Sequence, residues 1–93
     1  MIKTFKDREI EKIFNLVFSR KLPQNIQQVA VRKLSYLHSA KDIKDLTIPP
    51  ANKLERLSGN RKGQHSIRIN DQWRICFKWR NGNAYDEEIV DYH

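Results

Sequence analysis

The sequence predicts an α+β fold in which an N-terminal strand and a helical hairpin pack on a small antiparallel sheet. Three observations lead there. Apolar residues recur at helical spacing in two separate stretches before Ala40. Residues 64–70 and 73–80 then alternate strictly, the period of strands with one face buried. Last, Asn81-Gly82 precedes the final apolar run, and both residues tolerate the positive φ of a two-residue hairpin turn.

Residues 1–5, with Ile2 and Phe5 apolar, suit an edge strand. Asp7 is a good N-cap, and Glu9 and Glu11 lie where a helix dipole favours acids. Ile10, Ile13, Phe14, Val17 and Phe18 then form one helical stripe, and residues 19–22 break it. Pro23 suits the first turn of a second helix. Its apolar stripe is Ile26, Val29, Ala30, Leu34 and Leu37, with Gln24, Gln27, Gln28, Arg32 and Lys33 expected in water. Residues 40–51 read as a connector with one helical turn, closed off by Pro49-Pro50. Residues 52–57 are ambiguous between a short strand and a turn, anchored by Leu54 and Leu57.

Three strands follow. In the first, His65, Ile67 and Ile69 share one side, and Gln64, Ser66, Arg68 and Asn70 the other. Residues 70–72 turn the chain. In the second, Trp73, Ile75, Phe77 and Trp79 face the core, with Arg74, Cys76, Lys78 and Arg80 opposite. The last strand, residues 84–92, pairs antiparallel with the second, its acids Asp86, Glu87 and Glu88 facing Lys78 and Arg80.

Ninety-three residues bound the chain to one domain, residues 1–93, with a modest core. Its net charge is +7, unevenly spread. Residues 52–80 hold eight Lys/Arg against two acids, whereas residues 81–93 hold four acids and no Lys or Arg. A polar strand face with this much arginine points to polyanionic nucleic acid. The lysines and arginines of residues 1–51 read instead as an ordinary solvated surface. The single Cys76 excludes an internal disulfide and a CxxC metal site. No apolar run is long enough for a leader or a membrane span, so a cytoplasmic location with no membrane partner is expected.

No phosphate-loop, HExxH or GxSxG motif occurs, and His38, His65 and His93 share no metal-ligand spacing. No metal and no cofactor are therefore expected. What remains is cation plus acid–base chemistry. Metal-free RNA cleavage needs a base for the 2′-hydroxyl, an acid for the leaving 5′-oxygen and cations for the phosphorane. Arg68 and Arg74 are the best-placed cations, because an arginine fork grips phosphate oxygens in pairs and keeps its proton. The terminal Asp91-Tyr92-His93 supplies a carboxylate, a phenol and an imidazole beside them.

These segments resemble the HigB/GraT branch of the RelE/ParE toxins. The likeness rests on residues 53–61 (KLERLSGNR), residues 64–77 (QHSIRINDQWRICF) and residues 88–93 (EIVDYH), with a similar opening MIKTF. The resemblance implies a RelE-like, microbial-RNase-like fold and the toxin of a type II toxin–antitoxin pair. Members of this branch are ribosome-dependent endoribonucleases that cut mRNA in the decoding site. They are neutralised by a HigA-like helix-turn-helix antitoxin, through which alone operator DNA is contacted. By that resemblance Arg74 steadies the scissile phosphate, and Asp91, Tyr92 and His93 form the terminal catalytic cluster. Asn70 and Gln72 lie in or beside the active-site turn. Lys53, Arg56, Arg61, Lys62 and Arg68 contact ribosomal or messenger backbone.

One position departs from the pattern. Better-known relatives carry a histidine and a lysine where this chain has Glu55 and Ser58. Either Glu55 is the base or His93 takes more of the proton transfer; otherwise Glu55 merely pairs with Lys53 or Arg56. Two rival functions differ in class. One is a ParE-like toxin poisoning a protein such as DNA gyrase, and the other a non-enzymatic basic nucleic-acid-binding module.

Overall fold

The computed structural model describes residues 1–92. Two helices, α1 (Arg8–Phe14) and α2 (Gln24–Ser39), cover one face of a four-stranded antiparallel sheet in simple meander order. Its strands are β1 (Glu55–Arg56), β2 (Gln64–Arg68), β3 (Trp73–Arg80) and β4 (Asn83–Asp91). The expected N-terminal strand is reduced to two parallel bridges on β4, Ile2 to Ala84 and Phe5 to Glu87. The ambiguous 52–57 segment resolves into the short edge strand β1, and the connector into 3-10 turns at Ile43–Thr47 and Pro50–Asn52.

The alternation sorts β2 and β3 as expected. Ile67, Ile75 and Phe77 pack under Ile10, Ile13, Ile26, Ala30, Leu34 and Leu37. Burying each such aliphatic side chain contributes roughly 1.5–3 kcal/mol against chain entropy. Asn81 and Gly82 take φ of 52° and 77° and join Arg80 to Asn83, the two-residue hairpin their chemistry favours.

Helix α1 departs from its predicted length. Asp7 caps it by accepting from the Glu9 and Ile10 amides at 3.0 and 3.1 Å, but it stops at Phe14. Leu16 turns left-handed (φ 63°), and Leu16, Val17 and Phe18 are exposed rather than part of the stripe. Tertiary hydrogen bonds pull the chain off the helix axis. The buried Gln27 amide accepts from the Ser19 N–H at 2.9 Å and donates to the Ser19 carbonyl at 2.7 Å. Gln27, expected in water, thus splints the loop between the helices. Lys33, also expected in water, is buried as well. His38 closes the helix end, its ring 5.3 Å from Phe14 and its Nδ1 accepting from the Ile2 amide at 3.2 Å.

Strand β4 hides a second departure. Its register with β3 slips between Cys76 and Lys78, and Asp86 at the slip adopts φ 54°. This bulge divides the three acids. Asp86 pairs with Lys78 at 3.4 Å as expected, whereas Glu87 is fully buried with neither oxygen hydrogen-bonded. Glu88 turns to the outer face and holds Arg61 at 2.9 Å and Lys6 at 3.5 Å.

Candidate functional site

The outer face of the sheet is cationic but not wholly wet. Ser66 and Cys76 are fully buried and Arg74 is 8% exposed. The Gly59–Arg61 turn adds Arg61 to this face, where it reaches Glu88 at 2.9 Å and the Gln64 side chain at 3.2 Å. Burial pushes the Cys76 thiol up, so it is an inert part of this surface.

Arg74 is the most constrained side chain here. Its Nε donates to Ser66 Oγ at 2.7 Å, and one Nη donates to the Lys53 carbonyl at 2.5 Å and the Ser66 carbonyl at 3.3 Å. The other Nη lies 3.7 Å from Glu55 Oε1. Two of the three guanidinium nitrogens are therefore spent on protein, and the edge beside Glu55 is the one a phosphate can meet. Glu55 itself is half-exposed, and its ionic partner is Arg74 rather than Lys53 or Arg56.

Arg68 faces Arg74 directly across β2 and β3. Two like charges in register repel, and each carries its own acid: Asp71 for Arg68 at 2.5 Å, Glu55 for Arg74. Asn70 shapes the adjoining turn. Its side-chain oxygen accepts from the Gln72 and Trp73 amides at 2.9 and 2.8 Å.

Register then fixes the end of the chain. Arg74 pairs with Val90 and Trp73 with Asp91, so Val90 shares the Arg74 side and Asp91 the Trp73 side. The Tyr92 amide donates to the Gln72 carbonyl at 2.5 Å, and Gln72 Nε2 to Asp91 Oδ2 at 3.1 Å. Two hydrogen bonds thus hold residues 91–92 against the 70–72 turn. The Tyr92 side chain is exposed. His93 lies outside the described residues.

The cations expected on one surface divide between two. Glu55 opposes Ser66, on the Arg74 side, so Arg56 opposes His65 on the other. Arg56 and Lys62 line an open groove with Leu57, Ser58, Gly63 and His65 at the sheet edge. Burial, then the Arg56 charge, holds His65 below its ordinary range, and its ring stacks on Phe77. Lys53, Glu55, Arg68, Arg74 and the 91–92 end gather at one end of the sheet. Ser66 and Glu88 are the site residues that sequence reasoning passed over. Alternation already put Ser66 on the Arg74 side, but only register puts its hydroxyl under the guanidinium.

A meander sheet backed by a helical hairpin, with a cationic outer face and residues 91–92 held on its 70–72 turn, is a RelE-like fold. Solved structures share the fold. The YoeB–YefM toxin–antitoxin complex of Staphylococcus aureus aligns with TM-score 0.62 at 22% identity, covering all of this chain and 95% of that one. A point mutant of YafQ from E. coli aligns with TM-score 0.60 at 17% identity, covering 98% of this chain and 91% of that one. Residues 3–93 match the HigB-like toxin family, the RelE-like toxins of the type II toxin–antitoxin system HigB, and the chain belongs to that family. Toxin HigB-1 of Vibrio cholerae is 41% identical over 85 residues, 90% of either chain. Endoribonuclease HigB of Proteus vulgaris is 34% identical over 94 residues, the whole of both.

Proposed function

We propose that this toxin is a ribosome-dependent endoribonuclease that cleaves mRNA in the decoding site and so stops translation. One observation supports the reading: Val90 pairs with Arg74 across β3 and β4, and the Tyr92 amide bonds the Gln72 carbonyl, so residues 90–92 end next to the strand that carries Arg74. Acid–base groups and a phosphate grip are thereby within one short span.

The reaction needs only these groups. A base removes the 2′-hydroxyl proton, the 2′-oxygen attacks phosphorus, and the P–O5′ bond breaks as an acid protonates the leaving oxygen. The products are a 2′,3′-cyclic phosphate and a 5′-hydroxyl. The outward Nη of Arg74 meets the charge that grows on the non-bridging oxygens. Glu55, 3.7 Å from that nitrogen, is assigned the 2′-proton beside a phosphate held by Arg74. Tyr92 and His93 are assigned the leaving-group side, with Asp91 tied to Gln72 as their support. Lys53, Arg61 and Arg68 flank the track of the backbone, with Asn70 and Gln72 forming its turn. Arg56 and Lys62, on the other surface, are assigned to ribosomal RNA.

The partner that silences the toxin is read as a HigA-like helix-turn-helix antitoxin, and operator DNA is contacted only through it. The site of action is the cytoplasm. No helix among the described residues is long and apolar enough to cross a membrane.

Adding the protein to translating ribosomes should give mRNA ends inside the ribosome-protected codon. Deleting residues 92–93 should abolish them. Intact mRNA together with DNA damage would replace this reading by the ParE-like one. Salt-sensitive RNA binding without cleavage or toxicity would replace it by a plain binding module.

A further inference from the structure

The sequence places Lys33 on the wet side of α2, yet it is only 5% exposed. Its Nζ donates to Asn52 Oδ1 at 2.5 Å, and its other close contact is the Tyr36 ring, 5.8 Å away at the centroid. Among the described residues no carboxylate lies within ion-pair distance of it. Burial first, then the charges of Arg32 and Arg68, hold its pKa below the ordinary lysine range. A buried ammonium without a counter-ion is costly unless its hydrogen bonds are well used.

Asn52 takes one of the three ammonium donors and fills its own hydrogen-bonding groups. It is completely buried, accepting from Lys33 while its Nδ2 donates to the Leu46 carbonyl at 3.1 Å and the Ile48 carbonyl at 3.4 Å. This clamp closes the Pro50–Asn52 turn, in which the Asn52 amide meets the Pro49 carbonyl at 2.9 Å and the Lys53 amide the Pro50 carbonyl at 3.0 Å. The next residue, Lys53, sits in the left-handed region at φ 44° and ψ 56°, which a non-glycine residue adopts only when its surroundings hold it there. That turn points the Lys53 carbonyl at Arg74, where it takes the Nη hydrogen bond at 2.5 Å.

We propose that Lys33 and Asn52 are positioning residues for Arg74. Their buried ammonium–amide pair fixes the 50–53 turn, whose last carbonyl holds the inner edge of the guanidinium and leaves its outer Nη facing substrate. This rests on the reading of Arg74 as the phosphate grip. Lys33 acts from the helix layer, buried, and touches no substrate. Its removal leaves Asn52 Oδ1 an unpaired buried acceptor, the turn relaxes, and Arg74 keeps Ser66 and Glu55 but loses the Lys53 carbonyl.

The test uses the intact chain and two readouts, one independent of catalysis. In the unsubstituted protein the Arg74 side-chain Nε–H signal should be slow to exchange, because it is buried and bonded to Ser66. Lys33→Met should shift that signal and speed its exchange at least ten-fold, while Lys12→Met, on exposed α1, should not. In ribosome cleavage assays Lys33→Met should lower kcat about ten-fold with KM within two-fold, and Lys33→Gln, which returns a donor to Asn52, should recover part of the loss. Where Lys33→Met does not fold, Asn52→Asp replaces it: the shape and the Lys33 contact persist, but the donors to Leu46 and Ile48 are lost. An unchanged Arg74 signal in the folded variant overturns the inference, whatever the activity. A changed signal with an unchanged kcat overturns its catalytic half. A changed signal in a protein that never cleaves RNA supports the positioning and overturns only the ribonuclease reading.

Discussion

Glu87 and Glu88 are neighbours on one strand, and the sheet sends them to opposite fates. Glu88 turns to the outer face and organises two cations, Arg61 and Lys6. Glu87 turns to the helix-covered side, where neither of its oxygens finds a hydrogen bond. The pair is a small sample of the whole molecule. The face under the helices is built by exclusion of water and governs stability; the outer face is built from charges held in fixed geometry and is the one to which the proposed function assigns the chemistry. Strand alternation sends two adjacent glutamates to opposite faces, and the bulge at Asp86 decides which of them points inward.

Substitutions in β3 should break that division most visibly. Phe77 is fully buried among the helices, and Phe77→Ala should cost about 3–5 kcal/mol of unfolding free energy. Arg74→Ala, three residues earlier on the opposite side, should cut cleavage by roughly 100–1,000-fold, the effect of losing one preorganised donor to developing charge. Arg74→Lys should not restore it, because an ammonium cannot meet the Ser66 and Lys53 acceptors and substrate together. Urea titration and cleavage rates on the folded protein separate the two effects. An Arg74→Ala protein as active as the native one would mean the outer face is not where the chemistry lies.

Glu87 offers a probe of the covered face that no truncation gives. Burial, reinforced by the Asp86 charge, pushes its carboxyl up to about 7 from an ordinary 4.5. The folded protein therefore keeps a proton that the unfolded chain releases near pH 4.5. The associated stability is complete below that pH and is lost as pH rises through about 7. A shift of this size corresponds to about 3 kcal/mol. Glu87→Gln, which cannot charge, should flatten the decline between about pH 5 and 8 in urea titrations. An equal decline in both proteins would place the titrating group elsewhere.

Sequence legibility follows the same division. Ile67, Ile75 and Phe77 could be assigned to the core because a two-residue period needs no partner to be read. Asp7 as cap and Asn81-Gly82 as turn are equally local. Gln27, Lys33 and Glu87 were not readable, since each is a polar residue whose burial is decided by what another segment offers it. Ser19 makes Gln27 a splint, Asn52 receives Lys33, and the Asp86 bulge turns Glu87 inward. Val17 and Phe18 fit a helical stripe on paper, but the Ser19–Gln27 hydrogen bonds remove them from it. At the candidate site, residue types alone singled out Arg74 and residues 91–93, while register sets Arg56 on the opposite side of its strand from Glu55.

The gentlest change concerns Glu88. Its ion pair with Arg61 is partly exposed, and Glu88→Gln keeps an acceptor while removing the charge. Stability should fall by about 1 kcal/mol or less, as partly solvated pairs usually show. RNA binding should move the other way. Arg61, no longer neutralised, is free to meet phosphate, and one added contact steepens the dependence of log K on log salt by about 0.7 for a single strand. Fluorescence anisotropy with a short single-stranded RNA at several salt concentrations measures both the affinity and the slope. Tighter, more salt-sensitive binding would make Glu88 a restraint on the cationic face. Weaker binding with an unchanged slope would mean that Arg61 serves the fold through Glu88 and Gln64, and that even on the outer face some charges are there for structure rather than for RNA.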